Sequence, residues 1–267
     1  MKIIKVKDEK IRSFRVVFSQ QRFFSIPVIS RKFLFDSFKR EMKDFMIWHP
    51  LSIYLILLCT IGGIFTLPNS NDKLTVLKSC LTTKLNGISL ITSTSSQYGV
   101  FSQGQRPSNS HKPLAIIMPK NEAEVSLIVK CALKANVRPV PRGGGHSYEN
   151  LSSQNGSLII DMTSMQKVTV IQVLNNGMDG IATVEAGARL GNVYTELWKQ
   201  GQFNFNAGTC PTVGIGGHIS GGGYGMCARL RGLAADKVIS MRVVLYDGRV
   251  LEEVSSKKNK DLFWALR

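Results

Sequence analysis

The chain has 267 residues, 43% of them hydrophobic and 19% charged, with 24 glycines; this is a globular composition, long enough for one domain and an extension. A formal charge of +16 invites a nucleic-acid reading, yet the first 46 residues carry 12 Lys/Arg against 5 Asp/Glu and the remaining excess is spread thinly. A diffuse basic balance bears on adhesion to anions and not on fold, and with no zinc finger, RNP pattern or recognition-helix signature no specific nucleic-acid partner is expected.

Residues 1–46 form a basic N-terminal extension, and residues 1–41 match no fold pattern. Residues 51–67 (LSIYLILLCTIGGIFTL) are apolar and uncharged. With Ile47 and Trp48 in front, the run just reaches the length of a membrane span. Two readings stay open for residues 47–68. Translation from Met1 makes them a transmembrane signal anchor, with the basic extension on the cytosolic side. Translation from Met42 or Met46 makes them the h-region of a cleavable signal peptide, which is preferred because residues 1–41 lack a fold pattern. Both readings export the chain beyond Pro68 into the secretory pathway, to end extracellular or membrane-anchored. A third reading is a buried core helix. The sequons at Asn150 and Asn155 agree with export but are weak signals.

Residues 69–73 are a polar break, and 74–85 read as a short helix around Cys80. Residues 114–118 (LAIIM) are a strand ended by Pro119. Asn121 with Glu124 three residues on is a helix cap. Val125, Ile128, Val129, Ala132 and Leu133 follow at helical spacing, Asn136 suits the helix end, and 137–140 resume as a strand. Strands are expected at 158–161 and 181–185. A helix is expected over 188–200, with Leu190, Val193, Leu197 and Trp198 on its apolar face and Gly201 as its stop. Residues 207–225 read as a loop. Strands at 240–246 and 249–254 are joined by Asp247-Gly248 as a two-residue hairpin, and 261–267 begin a helix.

Two loops are glycine-rich. The first, after a strand, runs Arg142-Gly143-Gly144-Gly145-His146-Ser147. The second runs from Gly208 through Cys210, Val213, Gly214, Gly217, His218, Gly221, Gly222 and Gly223 to Gly225. Successive glycines let backbone N–H groups converge on an anion, which suits a phosphate or pyrophosphate. No Gly-Lys pair exists, so the P-loop is excluded. Neither cluster meets G-x-G-x-x-G, which argues against a standard dinucleotide fold. Four histidines with no Cys-x-x-Cys and no His-Glu-x-x-His give no metal site.

The stretch Pro-Arg-Gly-Gly-Gly-His146-Ser-Tyr-Glu resembles the pyrophosphate loop of PCMH-type (vanillyl-alcohol-oxidase-type) FAD-binding domains. The stretch Ala-Gly-Thr-Cys210-Pro-Thr-Val-Gly-Ile-Gly-Gly-His218-Ile-Ser-Gly-Gly-Gly-Tyr-Gly, followed by Gly232-Leu-Ala-Ala-Asp236-Lys-Val, resembles the berberine bridge enzyme-like subgroup. The resemblance covers residues 74–267. It implies an α+β fold, a PCMH-type FAD domain of two subdomains with FAD between them. It also implies a flavin bound covalently through His146 and Cys210. Thiolate is the soft nucleophile for a ring carbon and forms more readily in an electropositive setting. Arg142 would offset pyrophosphate charge. Gly143, Gly144, Gly145, Gly221, Gly222 and Gly223 would approach the cofactor by backbone, His218 would pack or hydrogen-bond near it, and Asp161 would brace the first loop. Cys227 is expected to be passive. The resemblance further supports a Cys80–Cys131 disulfide, which export permits.

The implied activity is an oxidase of an alcohol, carbohydrate or alkaloid-like donor, passing electrons to molecular oxygen. The resembling pattern continues past Phe-Trp-Ala-Leu-Arg into a substrate domain that holds the catalytic base, so no catalytic residue is expected in this sequence. The competing expectation is an incomplete or inactive FAD-binding fragment.

Overall fold

The computed structural model describes residues 12–19, 70–85, 87–106, 111–175 and 179–267. The apolar stretch 47–68, and the basic extension apart from residues 12–19, lie outside the described residues. Among the described residues no helix is long and apolar enough to cross a membrane.

In chain order the elements are β1 (Arg12–Ser19), α1 (Ser70–Lys84), β2 (Leu90–Ile91), α2 (Tyr98–Ser102), β3 (Ala115–Ile117), α3 (Glu122–Lys134), β4 (Pro139–Arg142), β5 (Leu158–Asp161), β6 (Val168–Leu174), β7 (Asp179–Glu185), α4 (Leu190–Lys199), β8 (Phe203–Asn204), α5 (Ile215–Ser220), α6 (Ala228–Arg231), β9 (Val238–Val244), β10 (Val250–Ser255) and α7 (Lys260–Ala265). Helices and mostly segregated sheets make this an α+β fold.

The smaller sheet has the order β2-β3-β5-β4, with β3, β5 and β4 parallel and β2 antiparallel at its edge. Parallel strands must be covered on both faces, and side chains alternate across a strand. Ala115, Ile117, Leu158 and Ile160 pack on one face with α1 and α3, while Ile116 and Ile159 meet Ile91, Tyr98 and Phe101 on the other. Helix α3 follows its sequence signals closely. Asn121 caps it by accepting from the Glu124 N–H at 2.9 Å. At its other end Asn136 takes φ 51°, and Val137 N–H donates to Ala132 O at 2.8 Å while Asn136 N–H donates to Leu133 O at 3.0 Å, the Schellman pattern. Cys80 of α1 and Cys131 of α3 are joined, with Cα atoms 5.6 Å apart. The bond ties together the two helices that cover this face.

The larger sheet has the order β10-β9-β1-β7-β6, with β8 also pairing β1. Its core holds Ala182 and Val184 of β7, Leu190, Val193 and Leu197 of α4, Ile215 and Ile219 of α5, and Met241 and Val243 of β9. Strand β1 corrects the sequence reading, which found no fold pattern in residues 1–41. It runs parallel to β7 over Ser13–Ser19 against Asp179–Glu185 and parallel to β9 from Val16 to Ser19. A period-two apolar pattern was present in Phe14, Val16 and Phe18, but the surrounding basic residues masked it.

Three smaller differences have clear causes. Trp198, expected on the apolar face of α4, is 61% exposed; Tyr194 packs against the core in its place. The β9–β10 turn is a three-residue loop: Leu245 N–H donates to Arg249 O at 2.8 Å, Gly248 N–H donates to Leu245 O at 2.9 Å, and Gly248 takes φ 81°. A closing glycine in the left-handed region is the mark of a hairpin with a bulge. Asn150, read as a sequon, is buried to 1% and bonded to the backbone of Arg106, whereas Asn155 is exposed.

Candidate functional site

The first glycine-rich loop leaves the C-terminal end of β4; the second lies between β8 and α6 and contains α5, a helix the sequence reading passed over. Backbone bonds seat the second loop against the start of α4. Leu190 N–H donates to Val213 O and Gly191 N–H to Pro211 O, both at 3.0 Å, and Ile215 N–H donates to Ala188 O at 2.9 Å. From the same helix Tyr194 donates its hydroxyl to Gly208 O at 2.5 Å, and burial pushes its phenol up to about 12.

The two loops meet backbone to backbone at Gly144 and Gly214. A Cβ on Gly144 would lie 2.3 Å from the Gly214 nitrogen, and one on Gly214 would lie 2.3 Å from the Gly144 nitrogen. No other residue allows this approach. Gly223 is also committed to the loop's own packing, with φ 73° and a Cβ position 2.5 Å from Ala234 Cβ. Gly145 and Gly222 take φ 73° and 88°, and a Cβ on Gly225 would lie 2.3 Å from Ala207 O. Room for a ligand exists where the backbone is open. Gly217 has nothing within 4 Å, and Gly143 and Gly221 have no neighbour closer than 3.7 Å. The glycines expected to approach a cofactor thus divide into a group that folds the loops and a smaller group that leaves free space.

Arg142 has partners within the protein. Its guanidinium, partly buried, pairs with the buried Asp161 at 3.6 Å, and it donates to Phe101 O. The pair follows from register, because Arg142 and Asp161 are cross-strand partners of β4 and β5. Desolvation lowers the Arg142 pKa, Asp161 raises it and Arg189 lowers it. Asp161 also caps the 3₁₀ turn Met162–Ser164 through the Thr163 N–H at 2.9 Å, so it braces the first loop as expected. Ser147 Oγ accepts from the Leu151 N–H at 3.2 Å. His218 accepts from Gly208 N–H through Nε2 at 3.0 Å, which fixes its proton on Nδ1. Burial holds its pKa below the ordinary value. This is a loop-packing histidine.

His146 and Cys210 come together. His146 is half-buried and Cys210 exposed. Both reach the hydroxyl of Thr212: His146 Nε2 at 2.8 Å and Cys210 Sγ at 3.3 Å. The Cys210 thiol is held below its ordinary value, first by the Thr212 side chain and then by the Thr212 and Val213 backbone. Thr212 was not singled out from the sequence, although it stands two residues after Cys210. Its role needs the fold, which brings it to a histidine 66 residues away. Cys227, also exposed and free, accepts no such partner; its backbone N–H donates to Asn206 Oδ1 at 3.2 Å. No cluster of three metal-ligating side chains occurs among the described residues. An imidazole and a thiol at one hydroxyl bring two nucleophiles together.

Comparison with known proteins agrees. Residues 113–253 match the model of the FAD binding domain family. The chain is 44% identical over 158 residues to chitooligosaccharide oxidase of Gibberella zeae, covering 58% of this chain and 31% of that one. It is 34% identical over 236 residues to berberine bridge enzyme-like 22 of Arabidopsis thaliana, covering 81% and 42%. Among solved structures, glucooligosaccharide oxidase from Acremonium strictum, described with a 6-S-cysteinyl, 8α-N1-histidyl FAD, superposes with a TM-score of 0.65 at 34% identity over 72% of this chain and 39% of that one. The chain spans less than half the length of these relatives. With the family model covering more than half of its residues and the fold and loops in agreement, the chain belongs to the FAD binding domain family and takes FAD as its cofactor.

Proposed function

We propose that this chain is the flavin-holding part of an FAD-dependent oxidase in which His146 and Cys210 both bond covalently to the flavin. The observation that carries the proposal is the convergence of His146 Nε2 and Cys210 Sγ on the Thr212 hydroxyl. FAD, when bound, supplies an electrophilic ring for the two nucleophiles and a hydride acceptor for the donor. The chain supplies position. Thr212 occupies Nε2 of His146, which leaves Nδ1 as the attaching nitrogen. The lowered thiol pKa favours the thiolate, which is the reactive form of Cys210. The open backbone at Gly143, Gly217 and Gly221 leaves space for the cofactor.

The donor is an alcohol, carbohydrate or alkaloid-like compound, with dioxygen as the electron acceptor. The oligosaccharide oxidases among the relatives favour a carbohydrate. His218 is not offered as a base, because its Nε2 lone pair is already used by Gly208 N–H. We place the domain in an oxidising compartment of the secretory pathway, a reading supported by the Cys80–Cys131 disulfide.

The test is the denatured intact mass of the full chain made in an oxidising host supplied with riboflavin. The expected mass is that of the chain plus one FAD less two hydrogen atoms for each bond, since each bond replaces a flavin C–H and the side chain's N–H or S–H, with dioxygen taking up the two electrons and two protons. His146→Ala or Cys210→Ala alone keeps the adduct, and the double variant loses it. An unmodified parent mass refutes covalent attachment.

A further inference from the structure

We propose that Thr212 is a positioning residue that orients both linking side chains through one hydroxyl, engaging Nε2 of His146 so that Nδ1 is the nitrogen left for attachment and donating to the sulfur of Cys210 so that its thiolate is favoured. The proposal rests on the double attachment above. It follows from counting protons on three atoms. A hydroxyl has one proton to donate and lone pairs to accept with. Thr212 Oγ1 has two polar partners, His146 Nε2 at 2.8 Å and Cys210 Sγ at 3.3 Å.

Two directions make the hydroxyl a relay that accepts from one partner and donates to the other. In the first, Nε2–H donates to Oγ1 and the hydroxyl donates to sulfur. In the neutral imidazole the lone pair is then on Nδ1, and the sulfur is the acceptor of a charge-assisted bond, the stronger class. In the second, the thiol donates to Oγ1 and the hydroxyl donates to Nε2. The imidazole proton then sits on Nδ1, and the bridge depends on S–H, a weak donor. The first direction prepares both nucleophiles at once; the second blocks both. The surroundings favour the first. The backbone N–H groups of Thr212 and Val213 act on the same sulfur and in the same sense as the hydroxyl, and no charged side chain is among the causes. The titratable group that shares the hydroxyl is His146. A single side chain on the loop thereby couples two residues that the sequence holds far apart.

The test reads the thiol directly and needs no loaded enzyme. Full chain made under riboflavin starvation is alkylated with iodoacetamide across pH, and modification is quantified on the Cys210 peptide. Thr212→Val keeps shape and removes the hydroxyl; alkylation at pH 7 is expected to slow about tenfold, the scale of one hydrogen bond to a charged group. Thr212→Ser is expected to keep the parent rate. Equal rates for parent and Thr212→Val, or a Thr212→Ser chain as slow as Thr212→Val, overturn the role. The FAD adduct mass is read in parallel with riboflavin supplied. A parent that reacts as expected at Cys210 but carries no adduct overturns double attachment and leaves the apo role of Thr212 standing.

Discussion

At the scale of single residues, the site depends on side chains that are spoken for by the protein itself. The partly buried Arg142 pairs with the buried Asp161, and removing the guanidinium strands a buried carboxylate, which is costly. His218 holds Gly208 N–H only while its Nε2 is unprotonated, and burial lowers its pKa from the ordinary 6.5. The sign follows from proton linkage. Below the unfolded value the unfolded chain binds a proton that the folded chain resists, so unfolding takes up protons and stability falls with falling pH. The contribution is complete above about pH 6.5 and is lost as pH falls through the lowered folded value. Thermal melts from neutral to mildly acidic pH should show a shallower acid decline for His218→Gln than for the parent. Parallel declines would mean that His218 does not couple loop packing to pH.

At the scale of elements, β1 carries the most consequence. It separates β7 from β9, and its backbone pairs with both, so its removal would leave two unpaired strand edges in the middle of a sheet. Unpaired edges invite association with other chains. A chain lacking residues 1–23 should lose several kcal/mol of stability, at about 1 kcal/mol net for each ladder hydrogen bond, and should gain amide exchange across Asp179–Glu185 and Val238–Val244. Unchanged exchange there would show that β1 is dispensable. Mass analysis of secreted chain shows whether residues 12–19, and with them β1, remain on the domain.

At the scale of the whole molecule, the disulfide joins the two helices covering the smaller sheet across a separation of 51 residues. Closing a loop of that size stabilises by about 4 kcal/mol in the chain-entropy model. The pair Cys80→Ser with Cys131→Ser should lower stability by a similar amount in an equilibrium melt, and reducing agent should lower the parent to the same level. A parent indifferent to reductant would place the bond outside the protein's stability and weaken the case for an oxidising compartment. Several features were legible along the chain because they are local. The Asn121 cap and the apolar spacing of α3 depend on neighbours within a few residues, and the order of His146 and Cys210 within two long glycine-rich motifs carried the family. The glycine motifs, however, do not say which glycines fold the loops and which leave space. That division comes from the contact of Gly144 with Gly214, on loops that follow strands of different sheets. Nor could spacing reveal that Arg142 is taken by Asp161, since the pairing is set by the register of β4 on β5. The sequence by itself determined the cofactor family and singled out His146 and Cys210 as the proposed attachment residues, because both are written in contiguous motifs; only the tertiary structure decided that Thr212 stands between them and that β1 belongs to the sheet, because each depends on bringing distant segments together.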